Sequence, residues 1–187
     1  MKSLDMIGYY RHQTGKRSTK DLRKAANVPC VMYGGEKLVH FYSPMFLFNK
    51  LVYTPEVHII NLNIEGDKFR CILQDVQFHP VSEIILHADF LELRDNKPVK
   101  IEVPIKIVGN AIGVQKGGRL LTKLRKVRIK ALPANLPDYV EIDVTNLDLG
   151  KNIRVGDIKT DKFEILNTPT LPVASVEVPR GLRGQSS

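Results

Sequence analysis

The chain has 187 residues, of which 43% are hydrophobic and 26% charged, with a formal net charge of +8. This is globular composition, with room for one large domain or two small ones. No apolar run reaches the length of a membrane-spanning helix. The opening residues, Met1 to Met6, carry an early acid and no apolar core, unlike a secretory signal.

Leu4–Tyr10 reads as a first strand ending at Arg11, followed by a polar loop around Gly15. Ser18 offers an N-cap hydroxyl for a short helix that runs through Lys24 to about Ala26, where Asn27 and Pro29 end it. Val28–Tyr33 is an apolar strand closed by the turn pair Gly34-Gly35, and Lys37–Tyr42 is its return. Pro44 opens a second helix over Met45–Val52. Val57–Ile64 and Phe69–Gln77 form a hairpin about Glu65–Lys68, and a further strand carries Ile84–Phe90 on to Leu93. Five or more such strands with two short helices suit a small β-barrel.

Arg94–Pro98 is polar, contains a proline and marks a domain boundary. Beyond it nearly every element reads as β. Val99–Val108 contains Pro104 and is expected at a sheet edge. Gly109–Gly118 reads as loop. Leu120–Leu132 contains Lys123, Arg125, Arg128 and Lys130, and its tail Val127–Ala131 strictly alternates, so that basic side chains share one face of a strand. Tyr139–Val144, Phe163–Leu166 and Val173–Val178 follow. The expected organisation is a barrel domain over 1–94, a second, mostly β domain over 95–179, and a flexible tail over 180–187. The fold class is mainly β with a few short helices, the N-terminal domain being α+β.

Chemistry is sparse. The two cysteines, Cys30 and Cys71, lie in apolar strands and form no CxxC, which suits buried thiols in a reducing compartment. The five histidines lack ligand spacing, so neither metal nor cofactor is expected. Gly113–Gly118 lacks the Lys-Ser or Lys-Thr ending of a phosphate-binding loop. His87 and Asp89 are a base and an acid in principle, but two apart on a strand their side chains lie side by side. No Ser, Cys or Lys nucleophile is placed beside them, and no catalytic residue is assigned.

The charge distribution points elsewhere. Arg11 to Lys24 holds six basic residues against one acid, and Lys97 to Lys130 holds ten against one. Polyanions are the natural partners of such segments, although a solvated basic face is the bland alternative. Gln74, Gln77, His87 and Asp89 add donors and acceptors of defined direction, and Tyr33 adds a flat ring for stacking.

Leu22–Gly35 and Gln74–Pro80 with His87-Ala88-Asp89-Phe90 resemble the two signatures of the bacterial 5S rRNA-binding ribosomal protein twenty-five family. Pro104–Gly109, Gly113–Gly118, Leu132-Pro133 and Ile142–Gly150 resemble the second domain of its long form, the general stress protein Ctc family. The resemblance covers residues 4 to about 178. It implies a cytoplasmic, ribosome-associated, non-enzymatic constituent of the large subunit, monomeric there, whose barrel binds 5S rRNA in the central protuberance. It also implies RNA-contacting roles for Arg11, Arg23, Tyr33, His87 and Asp89, with Lys16, Gln74 and Gln77 as additional contacts. The basic second domain would meet other rRNA or ribosomal proteins. A stress-related interaction protein acting mainly off the ribosome is the alternative. Two departures stand out. Phe78 occupies a position where the family often has Arg. Ala26 replaces the usual Gly, which is expected to alter the backbone at the helix end.

Overall fold

The computed structural model describes residues 1–160 and 162–179. The expected flexible tail over 180–187 lies outside the described residues. The chain separates into two compact units, the first covering Met1–Val99 and the second beginning at Lys100. It is mostly β, with short helices.

The first unit contains β1 (Lys2–Tyr10), α1 (Lys16–Lys24), β2 (Asn27–Tyr33), β3 (Val39–Pro44), α2 (Asn49–Val52), β4 (His58–Ile64), β5 (Asp67–Phe78) and β6 (Ile85–Glu92). The six strands close into a barrel in the order β1-β3-β2-β6-β5-β4. β1 pairs with β4 and β2 with β6 in parallel, and the other neighbours are antiparallel. Closure removes the free edges that an open sheet would expose. Strand alternation decides which residues enter. In β4, Ile60, Leu62 and Ile64 are buried while Asn61 and Asn63 face out. Phe41, Phe48 and Phe90 fill the interior with ring centroids 5.3 and 6.3 Å apart for the Phe41–Phe90 and Phe48–Phe90 pairs.

The second unit contains β7 (Val99–Val108), whose first residue belongs to the first unit. It continues with α3 (Ile112–Gln115), β8 (Arg119–Thr122), β9 (Lys126–Ala131), β10 (Val140–Asp143), β11 (Asn152–Arg154), β12 (Glu164–Ile165) and β13 (Pro172–Glu177). Its strands form a four-stranded sheet, β10-β7-β9-β12, and a three-stranded sheet, β11-β13-β8. A core of Ala111, Ile142, Val144, Leu147, Val155, Val173, Ala174 and Val176 lies within this unit.

Five expectations change. α1 starts at Lys16 with Gly15 as its N-cap, so Ser18 is inside the helix and its hydroxyl donates to the Gln13 carbonyl. Met45–Phe48 is a 3-10 turn leading into the single turn of α2. β7 is internal, not an edge; its pairing with β10 starts at Ile105, just after Pro104. A short helix, α3, interrupts the glycine-rich loop. The basic stretch Leu120–Leu132 is split, because β8 joins one sheet and β9 the other. Lys123 and Arg125 lie in the crossing between β8 and β9, and only Lys126, Arg128 and Lys130 alternate with the buried Val127, Ile129 and Ala131.

The helix end keeps the geometry of a glycine despite the alanine. Ala26 has φ 55°, the left-handed region that a Cβ disfavours, and its carbonyl accepts the Met45 N–H. Ala26→Gly is therefore expected to stabilise the protein by about 1 kcal/mol in urea unfolding, after the added flexibility of the unfolded chain is set against the relieved strain. A second test concerns the thiols. Burial raises the Cys71 thiol to about 12 and the Cys30 thiol well above its ordinary value. Neither is expected to react with Ellman's reagent at mildly alkaline pH until the protein is unfolded. Release of two thiol equivalents from native protein, without unfolding, would contradict this packing.

Candidate nucleic-acid interface

β5 and β6 carry the polar residues, and their register decides which way those residues face. Asp75 pairs with Asp89, Val76 with Ala88 and Gln77 with His87. Ala88 is buried, so its neighbours His87 and Asp89 turn outward, and so do their cross-strand partners Gln77 and Asp75. β2 continues this face on the other side of β6, where Val31 pairs with Asp89 and Tyr33 with Leu91. Tyr33, Gln77, His87 and Asp89 thus lie on one outer surface of three adjacent strands.

The ladder is irregular in two places. Leu73 pairs with Phe90 and Asp75 with Asp89, so Gln74 is an extra, exposed residue on β5. Gln77 pairs with His87 but Phe78 with Ile85, so Leu86 is an extra residue on β6. The Leu86 carbonyl accepts two hydrogen bonds from Arg23, from Nε at 3.0 Å and from Nη2 at 2.8 Å. Arg23 therefore tethers α1 to the residue next to His87.

His87 is oriented by its own strand. Its Nδ1 lies 2.7 Å from Asp89 Oδ1. A carboxylate only accepts, so the proton sits on Nδ1 and Nε2 is left to meet a ligand. Tyr33 sits close enough to sense the same carboxylates. Burial, then Asp89 and Asp75, push its hydroxyl above the ordinary value. The Gly-Gly turn after it is a packing requirement. Gly34 has φ 94°, and a Cβ there would come within 2.6 Å of Leu91 Cδ1.

Arg11 and Lys16 belong to the neighbouring helix start. Arg11 donates from Nε to the Gln13 carbonyl at 3.0 Å and from Nη2 to Thr19 Oγ1 at 2.7 Å. Lys16, the first helical residue, is exposed. Of the eight residues singled out in the sequence, Tyr33, Gln77, His87 and Asp89 form the sheet group, with Gln74 at the adjoining bulge. Arg11, Lys16 and Arg23 form the helix group, and the Arg23–Leu86 contact joins the two. Asp75 was missed, although two-residue alternation back from Gln77 points to it. The Leu86 carbonyl was also missed, since a main-chain acceptor has no side-chain signature.

In the second unit the basic surplus is partly neutralised at home. Lys116 pairs with Asp148, Lys123 with Glu177, Arg128 with Glu102 and Lys130 with Glu164. These exposed pairs contribute little to stability, but they reduce the positive field available to a polyanion.

Residues 8–90 match the model of the ribosomal L25p family, and residues 98–180 match that of the C-terminal domain of ribosomal protein TL5. The chain is 46% identical over its full length to the large ribosomal subunit protein bL25 of Cytophaga hutchinsonii, covering 97% of that protein. It is 48% identical to the protein of the same name from Amoebophilus asiaticus, over 98% of this chain and 93% of that one. A third, from Phocaeicola vulgatus, is 40% identical over the whole chain and 98% of the relative. These names are those of ribosomal proteins, not of enzymes.

The tether makes a test. Arg23→Ala removes both bonds to Leu86 and is expected to destabilise the protein by about 1–3 kcal/mol, with faster hydrogen exchange in α1. Arg23→Lys keeps the charge but loses the fork, and is expected to recover only part of the protection. Unchanged exchange in α1 for both variants would show that the helix is held by other contacts.

Proposed function

The chain belongs to the ribosomal L25p family, and on that footing we propose that it binds 5S rRNA in the central protuberance of the large subunit. Through this contact it supports translation, on cytoplasmic ribosomes, as a single copy per subunit. The observation that carries the reading is the outer face of Tyr33, Gln77, His87 and Asp89, with the His87 ring held by Asp89.

On this reading the two groups do different work. Lys16 and its basic neighbours on α1, Arg17, Lys20 and Lys24, meet phosphates and supply most of the attraction, which falls as salt rises. Arg11 and Arg23 hold the helix start and the helix against the barrel, with the remaining faces of their guanidinium groups turned to phosphate. The sheet group supplies direction. His87 Nε2 and the Gln77 amide are placed to meet base edges or ribose hydroxyls, and the Tyr33 ring packs on a base or sugar. Asp89 repels phosphate, so its place in the interface follows from orienting His87 and from accepting a base amine. Contacts of this kind position and discriminate an RNA surface without reading a long sequence.

Gel-shift titration with 5S rRNA tests the assignment. His87→Ala and Gln77→Ala are each expected to weaken binding by roughly tenfold to a hundredfold, about 1–3 kcal/mol, with the unfolding midpoint unchanged. Lys16→Ala is expected to weaken binding more evenly and to lower the salt slope by about one. Wild-type affinity in both His87→Ala and Gln77→Ala would remove the sheet face from the interface.

A further inference from the structure

Charge is sharply segregated within the second unit. Lys97 to Lys130 is almost purely basic, yet residues 131–150 contain Asp138, Glu141, Asp143 and Asp148 and not one Lys or Arg. β10 runs through this acidic segment and, among the described residues, is the terminal strand of its sheet, paired with β7 alone. Val144 donates its N–H to Val108 on the β7 side. Backbone groups alternate sides along a strand, so the N–H and C=O of Glu141 and Asp143 turn to the other, open edge. Among the described residues no strand covers that edge.

A groove of about 500 Å³ lies beside it, its lining including Glu141, Ile142, Asp143, Leu147, Ile153 and Ile158. Asp157 and Lys159 complete its rim. The floor is aliphatic and the rim holds three acids against one base. The side chain and N–H of Thr145 donate to Asp143 and hold its carboxyl below the ordinary range. RNA is disfavoured here, since its phosphates would face those carboxylates. An extended peptide is favoured. It satisfies open edge groups by strand addition, places apolar side chains on the floor and offers Lys or Arg to the rim.

We propose that the groove beside β10 docks an extended basic segment of another protein by adding a strand to the open edge. The ribosomal setting rests on the family reading; the docking chemistry itself does not depend on 5S rRNA binding.

The test uses the full chain and a labelled synthetic peptide in which Lys alternates with Val. Fluorescence anisotropy is expected to show saturable binding, and amide shifts at Glu141, Ile142 and Asp143 are expected to move in NMR. Glu141 is exposed and outside the core, so Glu141→Lys should fold normally while weakening the peptide about tenfold or more. A second peptide, with Val replaced by Pro, keeps the charge but cannot form a strand ladder, and is expected to lose binding. Equal binding of both peptides, or of both protein variants, would reduce the effect to diffuse charge and overturn the proposal. Shifts elsewhere than β10 would do the same. A single-stranded RNA that binds here, with affinity raised by Glu141→Lys, would identify the occupant as nucleic acid and overturn it too. Because 5S rRNA takes no part in this assay, its failure leaves the barrel interface untouched, and failure at the barrel leaves this groove intact.

Discussion

Helix α1 has no fully buried residue among its nine, and Leu22, half-buried, is its one partly covered apolar side chain. An isolated helix of this length is not stable in water. With so little apolar cover, polar contacts add to its hold, and among them is the fork from Arg23 to the Leu86 carbonyl. That carbonyl is available because Leu86 is an extra residue in the β5–β6 ladder. Arg11 secures the other end by bonding Gln13 and Thr19. A barrel irregularity therefore creates the acceptor, an arginine takes it, and a strongly basic helix is fixed beside the outward face of β6.

This arrangement separates attraction from direction. Lysines on an exposed helix provide a field that is strong but insensitive to geometry. His87, Gln77 and Tyr33 stand on strands of a closed barrel, where neighbours on both sides restrict their motion. The His87–Asp89 bond then fixes a ring orientation that a free histidine would lack. Asp75 and Asp89 lie opposite each other, an arrangement that is unfavourable for stability alone. A like-charge pair retained on an exposed face is easier to understand as part of a recognition surface than as part of the scaffold.

Much of the barrel was legible because alternation is a local property. Ile60, Leu62 and Ile64 against Asn61 and Asn63 place β4, and His87 and Asp89 against Ala88 and Phe90 place β6. What was not legible depends on partners distant in sequence. Pro104 suggested an edge, but an internal strand tolerates proline just outside the paired run with its neighbour. The run from Leu120 to Leu132 carries basic residues on both sides of the point where the chain changes sheets, so composition does not mark the crossing. The bulges at Gln74 and Leu86 left no composition signal. At Ala26 the residue type suggested altered geometry, yet tertiary context imposed the left-handed backbone anyway, with the Met45 N–H closing on its carbonyl. The candidate residues rest on residue type and resemblance, and the structure groups Tyr33, Gln77, His87 and Asp89 on one face. The distinction between those that present atoms to a ligand and those that hold the scaffold was not legible.

That distinction changes how loss-of-binding variants are to be interpreted. Arg11 and Arg23 carry positive charge at the proposed interface and also anchor α1. An alanine at either position displaces the helix lysines as well as deleting a guanidinium. A large loss of RNA affinity there would overstate any direct phosphate contact, because the effects of coupled groups do not add. Gln77 is exposed on a closed barrel strand, and its removal leaves the Arg23 tether and the His87–Asp89 bond in place. It reports on the interface with the least contribution from the scaffold. Its partner His87 comes next, since its ring bonds only a neighbour on its own strand. The sheet residues, and not the arginines, are therefore the positions at which affinity can be equated with contact.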